Sequence, residues 1–174
     1  MGPIGVFGGT FDPIHYGHLR TAFELMEALS LSEVRFIPAG SPPHRGQPQA
    51  SAEARLAMVR AALSKHAGFT VDDRELDRAG PSYSVDTLAS LRAEFVDSPL
   101  CLIIGMDAFL GLTNWHRWER ILDLAHIIVA HRPGWRVPDT VPLHDLVRSI
   151  GTGRREDLHE ALAGRIFVRA VTQL

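Results

Sequence analysis

Residues 4–19 read Ile4-Gly5-Val6-Phe7-Gly8-Gly9-Thr10-Phe11-Asp12-Pro13-Ile14-His15-Tyr16-Gly17-His18-Leu19. Ile4–Phe7 is a short apolar run that stops at two glycines, the pattern of a buried strand entering a tight turn. Beyond it Leu19, Phe23, Met26 and Leu29 or Ser30 recur at helical spacing and predict a helix over about 17–30. Strand, glycine turn and helix in this order open a βαβ unit.

The rest of the chain repeats the alternation. Val34–Pro38 reads as a second strand, followed by a loop of helix and strand breakers from Ala39 to Pro48. Ser51 is a candidate N-cap for a helix over about 52–65, with Leu56, Val59 and Leu63 on one face. Phe69–Asp72 is a weaker strand, and about 84–95 a helix with Val85, Leu88, Leu91 and Phe95 on its face. Leu100–Ile104 is a continuous buried strand, about 107–124 a loop with short helices, and His126–Ala130 a strand stopped by Arg132-Pro133-Gly134. The stretch 134–163 is mixed, with a helix near 155–163 closed by Gly164, and Ile166–Val171 is the last strand.

This order predicts an α/β protein: a Rossmann-like, doubly wound, mainly parallel sheet with helices on both faces. Ligands of such folds lie beyond the carboxyl ends of the strands. The unusual residues gather there, at Gly8–His18, Ser41–Arg45 and Gly105–Trp118. At 174 residues the expectation is a single domain over 1–174, long enough to bury a core without staples.

Composition removes several function classes. Net charge is −2 and the pI about 6.5, so no whole-protein field draws nucleic acid or an anionic membrane. No apolar run approaches the ~18 residues of a membrane span. The lone Cys101 sits in an apolar run and reads as a buried, inert thiol. The N-terminus shows no basic, cleavable leader, which fits a cytoplasmic protein. Basic residues comprise 17 arginines and only Lys65, whose surroundings lack a P-loop frame. No G-x-S-x-G elbow occurs, and the zincin-like start at His159-Glu160 fails because position 163 is Ala. Nothing in the sequence sets an oligomeric state.

The chemistry concentrates in Gly8–His18. Glycines let a backbone approach a phosphate closely, and the following helix start presents N–H groups to an anion. His15 and His18 are three apart and share a helix face, so both imidazoles can donate to one polyphosphate, with Gly17 leaving room between them. Three readings of the pair stay open on spacing alone: ligand donors, capping or core histidines, and a metal site completed by Asp12. The string is not a dinucleotide fingerprint, because Gly5, Gly8 and Gly9 are wrongly spaced.

G-G-T-F-D-P-I-H-Y-G-H-L resembles the H-x-G-H signature of the nucleotidyltransferase superfamily. Three further segments resemble the bacterial nicotinate-nucleotide adenylyltransferase family more than its relatives. They are Ser41-Pro42-Pro43-His44-Arg45, Gly80-Pro81-Ser82-Tyr83-Ser84-Val85-Asp86-Thr87-Leu88, and Gly105-Met106-Asp107 leading to Trp115. The resemblance runs in order from about residue 4 to about residue 134.

What the resemblance implies is transfer of the adenylyl group of ATP to nicotinate mononucleotide, giving deamido-NAD and pyrophosphate by direct displacement. His15 and His18 would be the catalytic residues. ATP would lie against Gly8, Gly9, Thr10, Phe11, His15, Gly17, His18, Gly105, Asp107 and Arg132. The mononucleotide would meet Thr10, His44, Arg45, Ser82, Tyr83, Ser84, Thr87 and Trp115. Mg²⁺ would travel on the ATP phosphates, with no protein metal site. Backbone N–H groups of Gly9, Thr10 and Phe11 would hold the reacting phosphate, and the N–H groups near Ser84 and Val85 would suit a nicotinate carboxylate. Asp107 would bond ribose hydroxyls and Trp115 would stack on the pyridine ring. Several positions invite a second reading: His44 and Arg45 as a solvated surface loop, Ser82 or Ser84 as a helix N-cap, Asp107 as another, and Trp115 as a buried structural residue. The family often carries Lys where Arg45 stands and Tyr where His116 stands.

One departure concerns the end of the chain. The family carries an I-S-[ST]-x-x-[IV]-R segment after its last strand, whose hydroxyls and Arg help bind ATP phosphates. No such segment occurs before Leu174, so the expectation is either a partial chain or one with impaired activity. The competing functions are another H-x-G-H enzyme, such as phosphopantetheine adenylyltransferase, and a nucleotide-binding module without turnover.

Overall fold

A computed structural model describes residues 2–40, 48–138 and 142–172. His44 and Arg45 lie outside the described residues. The strands are β1 (Ile4–Gly9), β2 (Glu33–Pro38), β3 (Phe69–Val71), β4 (Leu100–Gly105), β5 (His126–His131) and β6 (Ile166–Ala170). Among the described residues they form one sheet in the order β3-β2-β1-β4-β5-β6, with every pairing parallel. The helices are α1 (Tyr16–Leu29), α2 (Ala52–Leu63), α3 (Ser84–Glu94), α4 (Met106–Leu110), α5 (Trp118–Leu124), α6 (Pro142–Ile150) and α7 (Arg155–Glu160).

Strand alternation builds two cores. Leu100, Leu102 and Ile104 of β4 face one layer with Val85, Leu88 and Leu91 of α3, Phe109, Ile121 and Leu143. Cys101 and Ile103 face the other layer with Ala22, Leu25 and Leu29 of α1, Val59, Leu63 and Leu158. A strand buried on both faces needs the continuous apolar run read in the sequence. Burial pushes the Cys101 thiol up to about 12, which makes it inert at neutral pH.

The sheet order creates the crevice. After β3 the chain crosses back to place β4 on the other side of β1, so connections leave in opposite directions from β1 and β4. The ladder between them pairs Ile4 with Leu100 and ends at Val6 with Leu102. Both strands continue, to Gly9 and Gly105, without pairing to each other. The gap between those unpaired ends is the mouth of the site.

Several boundaries and faces differ from the sequence reading. β1 runs through Gly8 and Gly9, which pair with Ile37 and Pro38 before the chain turns. Ser51 caps α2 by accepting from the Ala54 N–H at 3.1 Å. On that helix, however, the buried residues are Arg55, Val59 and Leu63, and Leu56 stands outside the core. Within the mixed stretch, α6 packs Leu143, Leu146, Val147 and Ile150 on the α3 side of the sheet. The helix read near 155–163 ends at Glu160.

Candidate active site

A cavity of about 690 Å³ opens between the carboxyl ends of β1 and β4. One wall is Phe7–Phe11 with His18, another Leu102–Gly105 with Asp107, and the far end is Ser82–Ser84 with Trp115 and His116. Three segments that are distant in sequence therefore meet in one place, as the family resemblance implies.

The first wall is the β1–α1 turn. Its histidines cap the helix reciprocally: His15 Nδ1 accepts the Gly17 N–H, and His18 Nδ1 accepts the His15 N–H, both at 3.1 Å. An accepting Nδ1 carries no proton, so each neutral ring holds its proton on Nε2 and presents an N–H there. The rings stack with centroids 3.8 Å apart. His18 also meets the edges of Phe7 and Phe11. Burial, and then repulsion from His15, lowers the His18 pKa to about 4. At neutral pH His18 is an uncharged hydrogen-bond donor. The histidines are thus caps and potential ligand donors at once.

The third reading of the pair, a metal site with Asp12, is not supported by the geometry. Asp12 Oδ2 accepts the Gln49 N–H at 2.7 Å and Oδ1 accepts the Ala50 N–H at 3.1 Å. No cluster of three metal-ligating side chains occurs among the described residues. The sequence reading missed what Asp12 does, which is to anchor the chain entering α2 onto the turn.

Phe11 turns the loop with φ 51°, an uncommon conformation for a bulky residue, at a cost of order 1–3 kcal/mol. Its ring is buried against Phe7 and Phe36, which offsets that strain. A Cβ on Gly9 would approach the Phe11 ring at 3.2 Å, so glycine allows the ring to fold back. Gly105 is different: a Cβ there would meet nothing within 4 Å, and the open space belongs to the crevice.

The far end is the start of α3. Tyr83 is the N-cap and makes no side-chain cap hydrogen bond, so neither Ser82 nor Ser84 caps this helix. The Ser84 and Val85 N–H groups have no protein acceptor among the described residues. Ser82 Oγ is buried at the cavity wall with no hydrogen-bond partner. A buried hydroxyl with no well-formed bond, beside two helix N–H groups without an acceptor among the described residues, offers donors to an anion. Thr87 does not line the cavity. Its hydroxyl donates to Glu75 Oε2 at 2.7 Å and accepts from Arg78 at 3.1 Å. Burial, aided by the Asp72 charge, raises the Glu75 pKa against the Thr87 hydrogen bond, the Arg78 charge and a contact from the Ser82 hydroxyl.

The aromatic rim and the second wall complete the picture. Trp115 is half-buried, packed on the core and lining the cavity, so its structural and ligand-facing readings coexist. His116 stacks on Tyr83 with centroids 4.3 Å apart, across the mouth from α3. Asp107 is the second residue of α4, whose N-cap is Gly105; it is exposed and lines the cavity. Its reading as an N-cap is therefore wrong. Gly17 contributes its N–H to His15, and Arg132 follows β5 in an exposed position outside the cavity wall. The sequence carried no signal for Glu75 or Arg55, since isolated charged residues do not reveal burial.

Fold and site define an α/β protein with a cavity at the switch point of a parallel sheet. The cytidylyltransferase-like family model matches residues 6–161. A probable nicotinate-nucleotide adenylyltransferase of Aeromonas hydrophila subsp. hydrophila is 50% identical over 166 residues, covering 95% of this chain and 78% of that protein. One of Methylococcus capsulatus is 50% identical over 172 residues, covering 98% and 82%. Among solved structures, Plasmodium falciparum nicotinic acid mononucleotide adenylyltransferase complexed with NaAD matches with a TM-score of 0.73 and 13% identity. That match covers 100% of this chain and 77% of the other, and it speaks for the fold. The chain belongs to the cytidylyltransferase-like family and, within it, to the nicotinate-nucleotide adenylyltransferases.

Proposed function

We propose that the chain transfers the adenylyl group of ATP to nicotinate mononucleotide, forming deamido-NAD and releasing pyrophosphate. A phosphate oxygen of the mononucleotide attacks the α-phosphorus of ATP. A new P–O bond forms, the bond to the bridging oxygen of the β-phosphate breaks, and pyrophosphate leaves with the electron pair. Both reactants are anions, so the protein's work is positioning and charge stabilisation, with no protein nucleophile. Mg²⁺ enters with ATP as part of the substrate, keeping most of its waters. The reaction is assigned to the cytoplasm, where ATP is at hand.

The observation that carries this reading is one cavity lined both by the β1–α1 turn with His18 and by the start of α3 with Ser82, Tyr83 and Ser84. At the turn, the Nε2–H donor of His18 and the N–H groups of Thr10 and Phe11 serve the phosphates, joined by His15, which stands outside the cavity wall stacked on His18. His18, which lines the cavity, stabilises charge on the transferring group and on departing pyrophosphate. Asp107, beside the open floor at Gly105, accepts from the ATP ribose hydroxyls. At the start of α3, Ser84 and Val85 N–H with Ser82 Oγ take the nicotinate carboxylate, and Trp115, Tyr83 and His116 enclose the pyridine ring. A carboxylate suits these donors better than an amide, because charge-assisted hydrogen bonds are roughly twice as strong as neutral ones.

The test is pyrophosphate release from ATP with nicotinate mononucleotide, nicotinamide mononucleotide or phosphopantetheine supplied separately. Turnover with a clear preference for the nicotinate compound is expected. Equal rates with the first two would remove the assigned carboxylate site, and turnover with phosphopantetheine alone would replace the acceptor altogether.

A further inference from the structure

We infer that Arg55 is a positioning residue for adenylyl transfer, acting through the Thr10–Phe11 peptide. It rests on the reading above and names a part of the site that neither touches substrate nor lines the cavity.

Arg55 sits on α2, is 1% exposed, and is one of the largest fully buried side chains. Among the described residues its guanidinium donates only to main-chain carbonyls: Nη1 to Thr10 O at 3.0 Å and to Ala39 O at 2.6 Å, and Nε to Ala50 O at 3.2 Å. No carboxylate pairs with it among the described residues. A buried cation without a counter-ion is expensive, since ionised groups lose their hydration on burial. A packed apolar side chain would fill the same place at lower cost, which points to a task for the charge.

Peptide geometry supplies the task. A trans peptide is planar, with its C=O and N–H pointing in opposite directions. Arg55 holds the Thr10 carbonyl, so the Phe11 N–H is directed away from α2. The neighbouring peptide is pinned the same way, because Ala39 N–H donates to Gly9 O at 2.8 Å and turns the Thr10 N–H away from β2. Neither N–H has a protein acceptor among the described residues. Thr10 and Phe11 both line the cavity. Two donors are thus locked in direction before any ligand arrives, and a positive charge on the carbonyl side polarises the Thr10–Phe11 peptide further. Preorganised donors of this kind stabilise developing charge without reorganisation in the reaction.

The same guanidinium ties three segments together: the turn, the end of β2, and the entry to α2. Asp12 closes the clamp from the other side by accepting the Gln49 and Ala50 N–H groups. Removing Arg55 therefore frees the direction of the Thr10–Phe11 peptide while Asp12 still anchors the chain.

The experiment compares wild type with R55M and R55K, using ATP and the two diastereomers of ATP that carry sulfur at the α-phosphorus. Fixed donors address one non-bridging oxygen, so the wild-type protein distinguishes the diastereomers. In R55M the kcat with ATP is expected to fall about tenfold or more, and the diastereomer preference to shrink about tenfold. The KM for the mononucleotide should stay within about threefold, because its pyridine end is held by the start of α3 and Trp115 and not by the Thr10–Phe11 peptide. R55K keeps the charge on a single head group that does not span both carbonyls, and should lie between the two. Unchanged diastereomer preference in folded R55M overturns the proposal, because a purely structural role lowers the amount of active protein and leaves stereoselectivity alone. Should R55M not fold, wild-type preference in R55K overturns it equally. The wild-type rate separates the two ideas: no turnover by wild type removes the assigned reaction and this inference with it, whereas wild-type turnover with indifferent variants removes only the role of Arg55.

Discussion

The rings of His15 and His18 stack at 3.8 Å, and the main-chain N–H of His15 binds the ring of His18 at 3.1 Å. Helix cap and proposed phosphate site are therefore one device. The hydrogen bonds that start α1 engage Nδ1 of each ring and leave Nε2 as the nitrogen open to a ligand. A substitution in the pair has two separable consequences, one for the helix and one for turnover.

His18→Ala removes the acceptor for the His15 N–H and the Nε2–H donor. Loss of a capping interaction costs about 1 kcal/mol of stability. Loss of one preorganised donor at the transferring group lowers kcat by roughly 10²–10³. Urea unfolding and pyrophosphate release measure the two effects independently. A rate loss no larger than the loss of folded protein would take His18 out of the mechanism.

His18 also predicts a proton balance. Its pKa in the folded protein is lowered to about 4 from 6.5, so the folded state binds that proton less tightly than the unfolded chain does. Stability attributable to this group is intact above the unfolded value and declines as pH falls from 6.5 toward 4. A bound triphosphate reverses the local field and raises the pKa. ATP binding near about pH 6 should therefore take up protons in the wild type and take up fewer in His18→Ala. Calorimetry in buffers of different ionisation heat reads this directly, and identical apparent heats across buffers would contradict it.

The arrangement of strands was legible because β4 and β5 are continuous apolar runs and β1 ends in paired glycines. The cluster at Gly8–His18 was legible because three glycines and two histidines directly follow a strand within eleven residues. Charged residues carried less. Arg55 and Leu56 are neighbours on one helix, and spacing alone favoured the apolar one, yet the guanidinium is buried by three carbonyls brought from elsewhere in the chain. Glu75 likewise becomes part of the cavity only through Thr87 and α3. α6 is a different miss: Leu143, Leu146, Val147 and Ile150 recur at helical spacing, and that signal was present in the sequence.

Ser82→Ala separates a ligand-directed hydroxyl from a structural one. Ser82 Oγ is buried without a well-formed hydrogen bond, so its removal sheds a desolvation cost and gives up at most a weak contact with the Glu75 carboxyl. The melting temperature of the ligand-free variant should stay level or rise. The KM for nicotinate mononucleotide should rise by about fivefold to fifteenfold, for the loss of one hydrogen bond of about 1–1.5 kcal/mol. A drop in stability with an unchanged KM would assign the hydroxyl to the fold.

Glu75→Gln tests whether the buried carboxyl at the mononucleotide end disfavours its own charge. Burial raises the Glu75 pKa above the ordinary 4.5. The folded protein therefore holds this proton more tightly than the unfolded chain does. The stability it confers is complete below the unfolded pKa and is lost as pH rises through the folded pKa. Glutamine keeps an acceptor for the Thr87 hydroxyl and never ionises. The variant should match the wild type in urea midpoint at about pH 4 and exceed it increasingly toward about pH 7.5. The same charge faces the cavity that is assigned to a carboxylate ligand, so the variant's KM for nicotinate mononucleotide should also fall relative to wild type as pH rises. A variant less stable than wild type at the higher pH would mean that the Thr87 and Arg78 contacts outweigh burial, and that Glu75 works as an anion.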